Sequence, residues 1–156
     1  MESLRTASAV LFVAAAALAL GVQLIVLDAG TEREIDMAFA RLRNLEANAL
    51  VIGPDPFFGS VTEQFAALAV RDAVPAIFEY DEFVAAGGLM SYGGSLPEAY
   101  RLTGVYVGRV LKGDRPADLP IQQSTKVELT INLKTAKALG LTIPETLLAT
   151  ADKVIE

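Results

Sequence analysis

Residues 49–80 read ALVIGPDPFFGSVTEQFAALAVRDAVPAIFEY. Two short apolar runs, Ala49–Ile52 and Pro75–Tyr80, flank a segment whose apolar residues recur at helical spacing between Val61 and Ala69. Short apolar runs bounded by Gly and Pro are typical of buried strands, whereas apolar residues at i, i+4 and i+7 indicate a helix. The stretch therefore predicts a strand, a helix and a second strand, the unit from which parallel sheets with helical crossovers are built.

The same alternation extends toward the amino terminus. Gln23–Ala29 (QLIVLDA) is an apolar run that predicts one more strand, buried on both faces. Thr31 and Glu34 have the spacing of a capping box and predict a helix start, as do Ser60 and Glu63 before the second helix. The predicted order over residues 23–80 is strand, helix, strand, helix, strand.

Residues 81–156 carry a different pattern, in which glycines separate the predicted elements. Capping boxes at Ser95 with Glu98 and at Thr142 with Glu145 each predict a helix start. The expected elements are a helical turn over 81–86, an extended segment over 89–92, the longest helix from Ser95 to Lys112, a polar connector over 114–120, a strand over 127–131, a helix that Asn132 caps, and a final helix after Thr142.

The composition of the 156-residue chain excludes several function classes. The chain has no cysteine and no histidine, so nucleophile systems built on these residues and common zinc sites are excluded. Its net charge of -6 disfavours a nucleic-acid partner, which requires a basic patch. We predict no metal site and no cofactor.

The apolar run Ala9–Val22 has two interpretations. It is shorter than the ~20 residues that span a bilayer, so a transmembrane helix is disfavoured. An alanine-rich helix of the core and the hydrophobic region of a secretory signal both remain, and Arg5 before the run suits the second. We therefore separate residues 1–22 from an α/β lobe over 23–94 and from residues 95–156, which complete the fold.

Candidate ligand-binding residues follow the predicted strands, because ligands of parallel sheets bind beyond the carboxyl ends of the strands. A carboxylate between two prolines is equally typical of a plain turn, and an acidic cluster is equally typical of a solvated helix start. Together the candidates describe a pocket with aromatic walls and carboxylate ends, suited to a ligand with an apolar body and a cationic group. They are Asp55, Phe57, Phe58 and Ser60 after the second strand, Glu79 and Tyr80 after the third, and Tyr92 between glycines.

Several segments in fixed order, from about Leu20 to Glu156, resemble the substrate-binding proteins of ABC transporters, in particular the tryptophan/tyrosine-type uptake lipoproteins. The segments are ALVIGPDPFF (49–58), PAIFEYDEFVAAGGLMSYG (75–93), YVGRVLKGDRPADLPIQQSTKVELTINLKTAKALGLTIP (106–144) and ADKVIE at the end. The resemblance implies two α/β lobes that close on a solute in the cleft between them.

The same resemblance implies that the chain is the carboxyl-terminal part of such a protein. The expected fold is α/β, a three-layer parallel-sheet lobe of the class I periplasmic-binding-protein type, with the first lobe and the opening strand of the second missing. Chain segments near Ser91–Gly94 would cross the hinge, and the helix Leu96–Leu111 would have an apolar face without a partner. Such a face implies an exposed patch or a homodimer.

For the site, the resemblance carries over Asp55, Phe57, Phe58, Glu79, Tyr80 and Tyr92. A ligand ammonium group would contact a carboxylate, and a ligand carboxylate would contact the amides near Ser60. The implied function is the binding of a small organic solute, such as an aromatic or branched amino acid, without catalysis. The implied partner is an ABC permease, and the implied location is periplasmic or membrane-anchored outside the cytoplasm, or cytoplasmic if the first 22 residues are no working signal.

Two other functions remain open on the residues alone. A sensory or regulatory α/β domain shares the two-lobe architecture, although no pair of helices typical of DNA binding is visible. An enzyme would use Glu79 with Asp81 or Glu82 as an acid/base pair, since residues two apart on a strand share a face. No further group that would assist turnover is placed near this pair by the sequence.

Overall fold

The computed structural model describes residues 13–122 and 126–156. It contains five strands and a series of helices, with α1 taken as the helical residues 13–20. The remaining elements are α2 (Glu32–Asn44), β1 (Leu50–Val51), α3 (Pro56–Ser60), α4 (Thr62–Arg71), β2 (Ala76–Phe78), α5 (Asp81–Ala85), β3 (Met90–Gly94), α6 (Leu96–Leu111), a 3-10 turn (Pro116–Asp118), β4 (Val127–Asn132), α7 (Leu133–Ala138), α8 (Glu145–Leu148) and β5 (Lys153–Ile155).

The strands form one mixed sheet in the order β1-β2-β3-β4-β5. β1 with β2, β2 with β3, and β4 with β5 are parallel, while β3 and β4 are antiparallel and pair Met90 with Ile131 and Gly94 with Val127. The carboxyl ends of β1, β2 and β3 therefore meet at one edge of the sheet, together with the start of β4. The α/β class predicted from the sequence is confirmed.

The hydrophobic core lies between the sheet and three helices, α2, α4 and α5. Ala76 and Phe78 on β2 are buried on the face toward these helices, as expected for alternate residues of a strand. Four aromatic rings join the layers, with Phe39 beside Phe65 at 6.2 Å between ring centroids and Phe78 beside Phe83 at 6.1 Å. Phe83 is completely buried, so the short helix α5 is anchored to the core through it.

Two of the predicted helix caps are present. The hydroxyl of Thr31 accepts a hydrogen bond from the Glu34 amide at 3.3 Å, and the Asn132 side chain accepts one from the Thr135 amide at 3.0 Å. The Glu34 carboxylate bonds the amide of Gly30 at 2.8 Å, one residue before the cap. The Gly30 amide first, and then the nearby Thr31 side chain, lower the pKa of the Glu34 carboxyl group.

Three other capping boxes predicted from spacing are wrong. Ser60 is the last residue of α3, and Val61 precedes α4 without a side-chain cap. Ser95 does precede α6, but its side chain makes no capping bond, and the Glu98 carboxylate pairs with Arg101 at 2.7 Å. Near the end of the chain, α8 begins after Pro144 rather than at a threonine cap. In each case the required spacing is present and the capping bond is not formed.

The strand predicted over Gln23–Ala29 is also wrong. Residues 22–29 have no regular secondary structure, and Leu24, Ile25 and Val26 are exposed. A strand needs a neighbour for its amides and carbonyls, and the sheet ends at β1. The apolar sequence is therefore present without the pairing that would make it a strand.

The carboxyl-terminal part contains one element that the sequence pattern missed and one that it described well. β5 forms from KVI at the very end and pairs Ile155 with Asn132. The helix α6 begins and ends close to the predicted bounds, and Gly113 follows it at φ 106°. No residue of α6 is buried, so this helix stands on the surface.

Among the described residues, no helix combines the length and apolarity required to cross a bilayer. Of the run Ala9–Val22, residues 13–20 are helical, with Ala17 buried and Leu18 and Leu20 exposed. Residues 1–12 lie outside the described part of the chain, so the choice between core helix and signal stays a prediction.

Candidate functional site

The segment after β1 forms a short helix, α3, where the sequence predicted a loop. Asp55 is its N-cap: one carboxylate oxygen accepts a hydrogen bond from the amide of Phe57 at 2.7 Å. Pro56 occupies the first helical position, where its missing N–H costs nothing. The Asp55 side chain is exposed, so its second oxygen remains available to a ligand. The turn interpretation and the binding interpretation of Asp55 are therefore compatible.

The two phenylalanines of α3 are half-buried and in contact. Their ring centroids are 5.9 Å apart, and the ring of Phe58 meets the edge of the core residue Phe65 at 5.2 Å. Phe58 thus belongs to the core, while Phe57 is the outer member of this aromatic row. Ser60, at the end of the helix, donates its hydroxyl proton to the Phe57 carbonyl at 2.7 Å. That bond leaves the Ser60 hydroxyl oxygen exposed as an acceptor.

Tyr80 joins the end of β2 to α3. A Cβ atom built on Gly59 would lie 3.6 Å from the Tyr80 ring, so the ring rests against the backbone of α3. The other side of the ring meets Phe78 at 5.4 Å between centroids. Burial first, and then the carboxylates of Glu79 and Glu82, raise the pKa of Tyr80, because both disfavour the phenolate. The phenol is therefore held as a neutral hydrogen-bond donor and acceptor.

Glu79 and Tyr92 lie on the opposite face of the sheet from Phe78. The register pairs Phe78 with Ser91, and continued by one residue it places Glu79 beside Tyr92. Tyr92 is 60% exposed, and Glu79 is half-buried. The strands approach closely here, since a Cβ on Gly93 would lie 2.1 Å from the Glu79 carbonyl oxygen. Glycine at position 93 is therefore required by the close approach of the backbones.

The structure thus divides the seven predicted residues into two groups at one edge of the sheet. The first group is built around α3: Asp55 caps this helix, Phe57, Phe58 and Ser60 belong to it, and Tyr80 packs on it. The second group lies across the ends of β2 and β3 and consists of Glu79 and Tyr92. Carboxylates outnumber cations at this edge: Asp81 has a partner in Lys153 at 3.7 Å, whereas Glu79 and Glu82 both act on Tyr80. The edge offers aromatic surface beside negative charge, which suits a ligand with an apolar body and an ammonium group.

Two features of this edge were missed by sequence reasoning. Tyr100 of α6 is close enough to Tyr80 to act on its ionisation, and it is 73% exposed. No local signal in the sequence places Tyr100 near Tyr80, because the two residues lie 20 positions apart. The close approach at Gly93 was also missed, because a glycine pair in a sequence does not show which residue faces another backbone.

An apolar cavity of about 70 Å³ lies nearby and includes Phe58 in its lining. Ligand pockets are usually about 300–1,000 Å³, so this cavity is smaller than a typical ligand pocket. Within the described residues, no group of three or more carboxylates is arranged to hold a metal ion.

Comparison with known proteins identifies the family. Residues 4–155 match the family described as ABC transporter substrate binding protein. The chain belongs to this family. The resemblance derived from the sequence is confirmed over nearly the whole chain, and the family is one of substrate-binding proteins.

Solved structures agree with this assignment. The ABC domain of Streptococcus pneumonia in complex with L-Trp is 27% identical, with a TM-score of 0.78 over 90% of this chain and 49% of its own. A conserved domain protein from Vibrio cholerae is 24% identical, with a TM-score of 0.82 over 96% of this chain and 50% of its own. A ligand-free, open substrate-binding protein with adhesive properties from Clostridium difficile is 20% identical, with a TM-score of 0.65 over 97% of this chain and 50% of its own.

The last two likenesses show the fold alone, which is of the periplasmic-binding-protein type. This chain spans about half the length of the solved structures that it matches. The comparison with curated proteins gave no match.

Proposed function

We propose that the chain supplies one wall of a solute-binding cleft and captures a small organic solute for an ABC importer, without catalysis. The observation that carries the proposal is the coincidence of the family match with the aromatic and acidic edge formed by α3, Tyr80, Glu79 and Tyr92. In this architecture the carboxyl ends of parallel strands are the ligand-binding edge.

The proposed ligand is an amino acid with an apolar side chain, aromatic or branched. Phe57 and Tyr92 would pack against that side chain, since both are partly exposed aromatic residues at the edge. The ligand ammonium would contact Glu79 or the second oxygen of Asp55. A neighbour that is 27% identical was solved with L-Trp, which supports this ligand class.

The proposed mechanism is closure of two lobes on the solute. Closure follows from the higher affinity of the solute for the closed form, which contacts it from both sides. We propose residues 23–94 as the wall described above and residues 95–156 as the segments that return across the hinge near Gly93 and Gly94. With one wall alone the solute loses the contacts of the other, so binding should be weak, in the millimolar range.

The proposed partner of the solute-loaded protein is an ABC permease, and the proposed location is outside the cytoplasm.

We also propose a homodimer through α6. Tyr100, Val107 and Leu111 form an exposed stripe at helical spacing. In an antiparallel pair, Tyr100 at the start of the stripe on one copy would face Leu111 at the end of the stripe on the other. Sedimentation of the wild type and of Val107→Glu at several concentrations tests this pairing, and a monomer at all concentrations would contradict it.

The solute proposal is tested by nuclear magnetic resonance, which detects weak binding. The labelled chain is titrated with L-tryptophan, L-tyrosine, L-leucine and, as a ligand of opposite charge pattern, succinate, each to about 10 mM. We expect saturable shifts of the amides of Phe57, Ser60 and Tyr92 with at least one amino acid and none with succinate.

Matched variants show whether the shifts report the proposed contacts. Glu79→Gln or Asp55→Asn should weaken binding of the amino acid, whereas Asp118→Asn, on the exposed 3-10 turn, should leave it unchanged. The proposal is refuted if no amino acid shifts these amides, or if Glu79→Gln and Asp55→Asn both bind as the wild type does.

A further inference from the structure

Two buried polar residues at the start of α7 lie outside the candidate site. Asn132 ends β4 and Thr135 lies in the first turn of α7, and each is less than a tenth exposed. The side-chain oxygen of Asn132 accepts the Thr135 amide, which leaves Nδ2 of Asn132 and the hydroxyl of Thr135 to be paired elsewhere. A buried polar group is costly unless it is hydrogen-bonded, so the partners of these two groups show what the pair holds in place.

Both groups bond the carboxyl end of α5. The hydroxyl of Thr135 donates to the Gly87 carbonyl at 2.9 Å, and Nδ2 of Asn132 donates to the Val84 carbonyl over a longer distance, 3.5 Å. Each bond joins residues 48 positions apart in the chain. Carbonyls at the end of a helix lack amide partners within that helix. The start of α7 therefore serves as the carboxyl-terminal cap of α5.

α5 and its flanking residues form one hydrogen-bonded piece from Tyr80 to Gly88. The amide of Phe83 donates to the Tyr80 carbonyl at 3.3 Å, and the amide of Gly88 donates to the Phe83 carbonyl at 2.8 Å. The Phe83 side chain is completely buried, and a Cβ atom on Gly88 would overlap its ring. A helix this short depends on tertiary contacts for its position. The piece is thus fixed at its centre by Phe83, and its two ends are coupled through the backbone.

The end of this piece opposite Thr135 carries Tyr80. The Tyr80 ring lies 3.6 Å from a Cβ atom built on Gly59 of α3, which is a van der Waals contact without a preferred direction. Lys153 pairs with Asp81 at this end at 3.7 Å, but both side chains are more than a third exposed, so the pair contributes little. A rotation of α5 about its buried centre would therefore lift the Tyr80 ring from α3.

We propose that Thr135 and Asn132 are positioning residues of the candidate site, which hold α5 so that the Tyr80 ring stays on α3. The inference rests on the proposed function, in which Tyr80 belongs to the solute-binding edge. Loss of the Thr135 hydroxyl leaves the part-buried Gly87 carbonyl without this donor, which favours an arrangement that returns the carbonyl to water. Because Phe83 stays in the core, α5 reaches that arrangement by turning rather than by unfolding.

The backbone resonances of Gly59 test the proposal, because the Tyr80 ring lies against this residue. An aromatic ring shifts the resonances of the protons beside it, so Tyr80→Leu supplies the reference for a displaced ring. In Thr135→Val we expect the Gly59 Hα resonances to move at least about halfway to that reference, which corresponds to about half of the molecules with the ring displaced. The apparent affinity for L-tryptophan, L-tyrosine or L-leucine, whichever binds the wild type most tightly, should then fall about twofold.

Three variants separate positioning from a general loss of stability. Thr135→Ser keeps the hydroxyl and should leave the Gly59 resonances at their wild-type positions. Ile35→Val removes one buried methyl group from the core on α2, so it should lower the midpoint of urea unfolding and leave the Gly59 resonances in place. Asn132→Asp keeps the cap of α7 but loses the donor to Val84, and should move the Gly59 resonances in the same direction as Thr135→Val.

Several results would overturn the proposal. One is a folded Thr135→Val with wild-type Gly59 resonances, and another is an equal displacement in Ile35→Val. Loss of folding in both Thr135→Val and Asn132→Asp would also overturn it, because the pair is then required for the fold itself. So would displaced Gly59 resonances with unchanged solute affinity. If the resonances move as expected but no amino acid binds the wild type, the hold on Tyr80 stands and the proposed function fails.

Discussion

Replacement of Gly93 by alanine should be among the most damaging single changes at the candidate site. The new Cβ would lie 2.1 Å from the carbonyl oxygen of Glu79, 2.9 Å from its carbonyl carbon and 3.0 Å from its Cα. Carbon–oxygen contacts of this kind normally measure about 3.3–3.6 Å, so the two strands must separate by more than about 1 Å. All three atoms belong to the backbone, so no side-chain rotation relieves the overlap.

The magnitude follows from how firmly the two strands are held. β3 is paired on one side with β2 and on the other with β4, where Gly93 lies opposite Glu128. Overpacking in a well-packed region costs about 1–3 kcal/mol, and we expect about 3 kcal/mol because the backbone itself must move. For a domain of this size that loss corresponds to a decrease in Tm of roughly 9 °C.

The assay is urea and thermal unfolding followed by circular dichroism, with Gly94→Ala as the matched control. A Cβ on Gly94 meets nothing within 4 Å, so this variant should stay within about 1 kcal/mol of the wild type. The reasoning is refuted if Gly93→Ala unfolds within about 0.5 kcal/mol of the wild type, or if both variants are equally destabilised.

Three further predictions concern the core and two ionisable groups. Phe83→Ala should lower the free energy of unfolding by about 3–5 kcal/mol, because the ring is fully buried; a loss below 1 kcal/mol in urea unfolding would contradict this. Asp72 accepts two hydrogen bonds from Arg71, which lower the pKa of its carboxyl group. The free energy of unfolding of the wild type should therefore exceed that of Asp72→Asn by about 1–2 kcal/mol near neutral pH. That difference should vanish as the pH falls through the lowered pKa, and parallel pH profiles of the two proteins would count against it. Because the pKa of Tyr80 is raised, stability should decline as the pH rises through that pKa. The pKa is measured from the phenolate absorbance of the wild type minus that of Tyr80→Phe. A pKa at or below the usual value for tyrosine would contradict this prediction.

Local patterns predicted the elements whose signals are contained within a few residues. The caps at Thr31 and Asn132 formed because each side chain bonds an amide three residues away. The same spacing gave no cap at Ser60, whose hydroxyl bonds the Phe57 carbonyl, or at Ser95, where the Glu98 carboxylate bonds Arg101. Spacing shows which bond is possible, and the choice between possible bonds depends on the backbone that tertiary packing imposes.

The sequence predicted only in outline which residues lie together at this edge of the sheet. The strand ends predicted that Asp55 and Tyr80 lie at this edge, and the structure places both around α3. That Tyr80 packs on Gly59, while Glu79 lies on the other face with Tyr92, follows from the register of β2 and β3. Register joins residues far apart in the chain and leaves no local signature.

The sequence alone determined the α/β class, the family and the absence of histidine and cysteine chemistry, because apolar periodicity, motif order and composition are written along the chain. Only the tertiary structure decided that β3 and β4 run antiparallel, that β5 closes one side of the sheet, and that Gln23–Ala29 is no strand. A segment becomes a strand through hydrogen bonds to a neighbour, and among the described residues no strand pairs with Gln23–Ala29. Its apolar sequence is that of a strand, and pairing alone determines whether it forms one.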